Sequence, residues 1–157
     1  MLAKQRILSP TLVRQSRFVL DSAGHLSDHA CLFLQPTKKT NAGWRSLASE
    51  MQDALGRKPK ERELLVYCLA FLNSSRGSSA LLEGRRPTPK GSYQVSEQSL
   101  KEIFIAPPGA GQRKNLEALL TIVDTLTRGG GSMDAEKLEA MELQVDEIVD
   151  GLLEATT

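Results

Sequence analysis

The stretch Arg128-Gly129-Gly130-Gly131-Ser132-Met133 divides the 157-residue chain into two parts that share neither composition nor charge. Three glycines and a serine make a highly flexible connection, and the methionine behind them has the look of a retained start codon. Residues 129–132 therefore read as a linker of the kind an engineer uses to fuse two proteins; the alternative is a natural helical hairpin with a glycine-rich turn. Charge follows the same boundary. Residues 1–128 carry 19 basic and 11 acidic side chains, a net of +8, whereas residues 133–157 carry one Lys and eight acids, a net of −7. A formal charge of only +1 for the whole chain hides a basic domain tied to an acidic segment. Such asymmetry marks parts that bind each other or a third molecule.

The acidic segment has the clearest periodicity in the chain. Leu138, Met141, Val145, Ile148 and Leu152 recur at alternating spacings of three and four, the seam of an amphipathic helix, and Val149 and Leu153 widen it. The other positions are filled by Glu136, Glu139, Glu142, Asp146, Glu147, Asp150 and Glu154. Ser132 or Asp134 is placed to cap such a helix. Alone in water it is marginal, because nothing covers its stripe. It needs a partner surface, and residues 1–128 are the simplest one, in the same chain or in a swapped dimer. Leu138, Met141, Val145, Ile148, Val149 and Leu152 are accordingly the expected interface, each contributing roughly 1.5–3 kcal/mol when fully buried.

Within the basic part, residues 16–20 and 30–34 have strand length and flank a turn-rich segment, which predicts a β-hairpin. Trp44, Leu47, Met51 and Leu55 share one helical face, and Gly56 ends that helix at about 42–56. Pro59 suits the start of a second helix running to Asn73, apolar almost all round from Leu64 to Leu72 and so expected at the centre of the core. Residues 74–94 lose all periodicity and read as a long loop. Ser96 is placed to cap a short helix through Phe104, with Leu100, Ile103 and Phe104 as its buried side. A last helix over about 112–128 buries Leu116, Leu119, Leu120, Val123 and Leu126. The expected fold class is mainly α (α+β): a helical domain over 1–128 with an N-terminal hairpin, plus the linked helix of 133–157.

The segment Leu47 to Leu64, with Leu55-Gly56-Arg57-Lys58-Pro59 at its centre, is similar to the helix, LGRxP, helix segments of bacterial sigma factors. The resemblance covers about twenty residues and would imply promoter binding. The chain departs from it immediately downstream. Val66-Tyr67-Cys68-Leu69-Ala70-Phe71-Leu72 offers no polar side chains for base edges, which argues against carrying the function over.

Enzyme chemistry finds little support. There is no Ser/His/Asp set or close carboxylate pair in an expected cleft. His25, His29 and Cys31 lack a second cluster to complete a zinc site. Residues 106–114 set glycines before Arg113 and Lys114 but miss the phosphate-loop spacing and its hydroxyl. No catalytic residue, metal or cofactor is assigned. Cys31 and Cys68 sit in apolar runs as small hydrophobes, and the absence of a membrane-length apolar run or a leader points to a cytoplasmic protein. Arg57, Lys58, Lys60, Arg85, Arg86 and Lys90 are candidates for contacting phosphates or an acidic partner. The leading expectation is a regulatory or chaperone-type domain holding an acidic helix of a second protein in an apolar groove. Two alternatives stay open: a nucleic-acid-binding regulator blocked by an acidic antiactivator helix, and a small toxin enzyme silenced by an antitoxin-like peptide.

Overall fold

Nine consecutive residues, Leu64 to Leu72, are buried, and a helix that is apolar on every side has to be enclosed from several directions at once. In the computed structural model, which describes residues 6–10, 12–13, 18–21, 31–34, 42–83, 86–96, 98, 102–109, 111–129 and 135–154, that enclosure organises the chain. Strands β1 (Arg6–Pro10), β2 (Leu12–Val13), β3 (Val19–Asp21) and β4 (Cys31–Leu34) come first. Helices α1 (Ala42–Leu55), α2 (Glu61–Asn73) and α3 (Ser75–Leu82) follow, then the short strand β5 (Tyr93–Gln94). Helices α4 (Arg113–Gly129) and α5 (Ala135–Glu154) complete the order. The fold is mainly helical, with α2 touching α1, α3, α4, α5, β1 and β3. None of the described helices is long and apolar enough to cross a membrane.

The expected hairpin takes a different form. Residues 19–21 and 31–34 are strands, but both pair antiparallel with β1, giving the order β3-β1-β4. Two strands antiparallel to the same central strand run parallel to each other, so they cannot form a hairpin. The separation between them is far longer than a two-residue turn, and nothing local forces direct pairing. Ile7 lies opposite both Leu20 and Leu34 in the register and is itself buried. Besides the apolar packing of Ile7 and Phe18, a side chain of α2 fastens the sheet to the helical body. Asn73 at the end of α2 accepts from the Phe18 amide at 2.7 Å and donates to the Phe18 carbonyl at 2.9 Å, imitating a strand neighbour.

Helix boundaries follow the breakers in the sequence. Gly56, at φ +72°, closes α1 with its amide donating to Gln52 O at 2.9 Å. Glu63 then secures the start of α2 by accepting from the Lys60 amide at 2.9 Å and from both Arg57 terminal nitrogens at 2.8 and 2.7 Å. Inside the core, Tyr67 satisfies its hydroxyl by donating to Ala106 O at 2.6 Å, and burial raises its pKa. Burial likewise pushes the Cys68 thiol up to about 12, the state of an inert hydrophobe.

The long loop expected over 74–94 is interrupted by α3 and β5. Ser74 caps α3 by accepting from Gly77 N at 3.2 Å while its hydroxyl donates to Phe71 O at 2.6 Å. Gly77 lets α3 turn back tightly on α2. A β-carbon there would sit 1.9 Å from Phe71 O and 2.8 Å from Leu72 Cα. The short helix expected through Phe104 ends earlier: Ile103 and Phe104 lack regular structure, and Phe104 is 75% exposed rather than buried. Leu100 lies outside the described residues, as do the side chain of Trp44 and the histidines at 25 and 29.

Gly77→Ala is expected to destabilise the protein by about 1–3 kcal/mol, since the methyl meets backbone that has nowhere to go. Gly151→Ala, whose added carbon meets nothing within 4 Å, should instead stabilise it by about 0.5–1 kcal/mol through helix propensity. Urea denaturation of both variants beside the wild type checks the pair.

Candidate partner-helix interface

Helix α5 packs mainly along α4 and also reaches α2 and α3. Its far end lies beside the start of α4: the Gly109 amide, just before α4, donates to Leu152 O at 3.3 Å. The two helices therefore form an antiparallel hairpin. Val145, Val149, Leu152 and Leu153 are buried; Met141 and Ile148 are half-buried, and the side chain of Leu138 lies outside the described residues. The buried stripe is thus turned from the 3-4 seam toward Val149 and Leu153, which stand about 40° and 80° from Val145 on a helix with 3.6 residues per turn. An ideal seam suits one facing helix. Here the helix must fill the angle between α4 on one side and α2 with α3 on the other, so a wider stripe is buried. Leu143, on the outer side, is 61% exposed.

The acidic side chains divide into two groups. Glu136, Glu139, Glu142 and Glu147 are exposed. Asp146 and Asp150 are half-buried on the edge of the stripe that faces α3. Asp146 accepts from the Ser75 amide at 2.7 Å and from the Ser75 hydroxyl at 2.5 Å. Asp150 accepts from Arg76 Nε at 2.8 Å. The first turn of α3 presents amides without intrahelical partners and a positive dipole end, and Asp146 supplies the carboxylate such an end favours. Between them, Ser74 from within the chain and Asp146 from α5 satisfy two of those amides.

Helix α4 is braced behind the groove. Asp124 accepts from Arg62 of α2 at 2.7 and 2.9 Å and from Arg128 at 2.8 Å, so α2 and α4 are joined by a charged clasp at the end of α4 nearest the 130–134 connection. Burial pulls the Asp124 carboxyl upward, yet hydrogen bonds and charge from Arg62 and Arg128 outweigh it and hold the group below the usual carboxylate range. Glu63 is also held low, first by its hydrogen bond from Arg57 and against a smaller upward push from burial.

The basic candidates are not equivalent. Arg57 is committed to Glu63, while Lys58, Lys60, Arg86 and Lys90 are exposed and Arg85 lies outside the described residues. Lys58 and Lys60 belong to the α1–α2 turn, and Arg86 and Lys90 to the segment after α3. The cation that meets α5 is instead Arg76, a basic residue of the 74–94 stretch whose charge suits either a phosphate or acidic-partner contact or a solvated loop. Ser75, Arg76, Asp146 and Asp150 were missed as a group. The signal available was the repeat Val145-Asp146 and Val149-Asp150, in which each aliphatic anchor is followed by an acid. Among the described residues no group of His, Cys, Asp and Glu is arranged to hold a metal ion. The sigma-like segment spans α1, its turn and the start of α2, and the burial of Val66 to Leu72 leaves that part of α2 no free face to lay in a DNA groove. No family model matches the chain, and no curated protein matches its sequence.

Val149→Asp would bury an unpaired charge and is expected to cost about 3 kcal/mol or more. Ile148→Asp should cost less, and Leu143→Asp should stay within about 0.5 kcal/mol. Denaturant midpoints of the three variants measure that order. Because Glu63 and Asp124 both have depressed folded pKa values, the stability they contribute is present above their unfolded values of about 4 and is lost as pH falls through the folded ones. Stability should therefore decline from pH 5 to pH 3, and less steeply in a Glu63→Gln/Asp124→Asn variant followed over the same window.

Proposed function

We infer that the chain is a protein-binding module, in which a basic helical body of the regulatory or chaperone type holds an acidic amphipathic helix in an apolar groove between α2, α3 and α4. The observation that carries this reading is the division of labour on α5: Val145, Val149, Leu152 and Leu153 are buried, while Asp146 and Asp150 meet Ser75 and Arg76. A helix covering its own hydrophobic core needs no carboxylates aimed at another helix's first turn. Complementary charge of this kind fixes orientation and speeds encounter, which are properties of recognition between separate partners. The glycine-rich sequence Gly129 to Ser132 supports it further, because a tether raises the effective concentration of a helix that otherwise arrives from elsewhere. On this reading 133–157 is the fused partner segment of a complex, and the exposed Lys58, Lys60, Arg86 and Lys90 assist its approach.

The test uses the full chain with a protease site in place of Gly130 to Ser132. After cleavage, the 133–157 piece should remain bound and exchange with a fluorescent copy of itself on a timescale of seconds to hours. A piece that never exchanges under native conditions would make α5 an ordinary part of the core. The nucleic-acid reading gives a separate signature. If removal of the helix uncovers binding to DNA or RNA that falls steeply with salt, the helix is a phosphate-mimicking blocker.

A further inference from the structure

The groove has an apolar floor that many amphipathic helices would fit, so something has to set register and choose among them. We propose that Ser75 and Arg76 form the specificity-determining clamp of this surface, selecting partner helices that carry two carboxylates four residues apart on the flank of an aliphatic stripe. The inference rests on the binding reading above and names the chemistry of the partner: an acidic helix of the pattern Val-Asp-x-x-Val-Asp-x-Leu-Leu, here residues 145–153.

Three features support the clamp together. Carboxylates at positions i and i+4 lie one turn apart, about 5.4 Å along the helix, so both can meet the first turn of a second helix. Asp146 uses both oxygens, one on the Ser75 amide and one on its hydroxyl, and Asp150 takes Arg76 Nε. The clamp is also held in place from below. Ser74 and Gly77 fix the start of α3 against the end of α2, so the Ser75 amide is aimed before any partner arrives. A helix shifted by three or four residues along the groove could still bury aliphatic side chains. A shift of three brings Leu143 with Glu147, or Val149 with Leu153, to the clamp and leaves at least one donor without an acceptor, whereas a shift of four keeps an acid at both positions but puts a longer glutamate, Glu142 or Glu154, at one of them.

The experiment measures displacement of the bound 133–157 piece from the cleaved full chain by competing peptides of that sequence. Asp146→Ala in the competitor should weaken displacement about tenfold or more, since it removes two hydrogen bonds to a charged acceptor. Alanine is the better helix former, so propensity works against that loss and cannot cause it. Glu147→Ala removes the same charge from an exposed position and should change displacement by no more than about twofold. Asp150→Ala should weaken displacement against wild-type protein by a few-fold, and this difference should vanish against an Arg76→Gln protein. Equal displacement by the Asp146→Ala and Glu147→Ala peptides would overturn the clamp and leave the binding reading standing. Failure of even the unaltered peptide to exchange would overturn both.

Discussion

Everything in this structure depends on the need to surround α2. A helix that is apolar from Leu64 to Leu72 cannot lie on a surface, and no single neighbour covers more than a stripe of it. Helices α1, α3 and α4 and the strands β1 and β3 each take part of its circumference, and α5 takes another part. Among the described residues, the buried hydroxyls of Tyr67 and Ser74 are answered, the first by Ala106 and the second by Phe71 and Gly77. Removing α5 therefore uncovers part of the core itself, not a peripheral patch. This is why the packing of α5 and the stability of the body are one subject here.

Electrostatics refine what burial sets. The Arg62–Asp124–Arg128 cluster ties α2 to α4 at one end of the helical hairpin, and Gly109 ties α5 to the approach of α4 at the other. Between these points Asp146 and Asp150 make polar contacts from α5 to α3. An ion pair as exposed as Arg76–Asp150 adds little to stability, whereas the Asp146 contacts at a helix end are short and directional. On the binding reading proposed above, the arrangement suits discrimination between helices more than raw tightness.

The parts legible in the sequence were those governed by periodicity and by breakers. Leu47, Met51 and Leu55 announced α1, Gly56 and Pro59 marked its end and the start of α2, and Leu116, Leu119, Leu120 and Val123 announced α4. Two features were not legible. Ser75 to Leu82 looks like a loop because Gly77 and the serines disfavour a helix locally. It is helical because Ser74 caps it, Asp146 of α5 takes the Ser75 amide, and Gly77 allows a close approach to the end of α2. The sheet order was hidden too, since the central strand comes first in the chain and its pairing is set by long-range contacts. For the interface, the aliphatic residues could be read from spacing. The clamp could not, because half of it belongs to a helix the sequence concealed.

The bond pair between Asn73 and Phe18 has a consequence for how the molecule comes apart. A small three-stranded sheet packed on one side of a helical body would ordinarily open on its own, well before the body beneath it. Here the backbone of Phe18, immediately before the edge strand, is gripped by the last residue of the central helix, with Ile7 and Phe18 sunk in the same hydrophobic cluster. Sheet and helix are thereby coupled into one cooperative unit, so amide protons of β1 and of α2 should be released to solvent by the same opening.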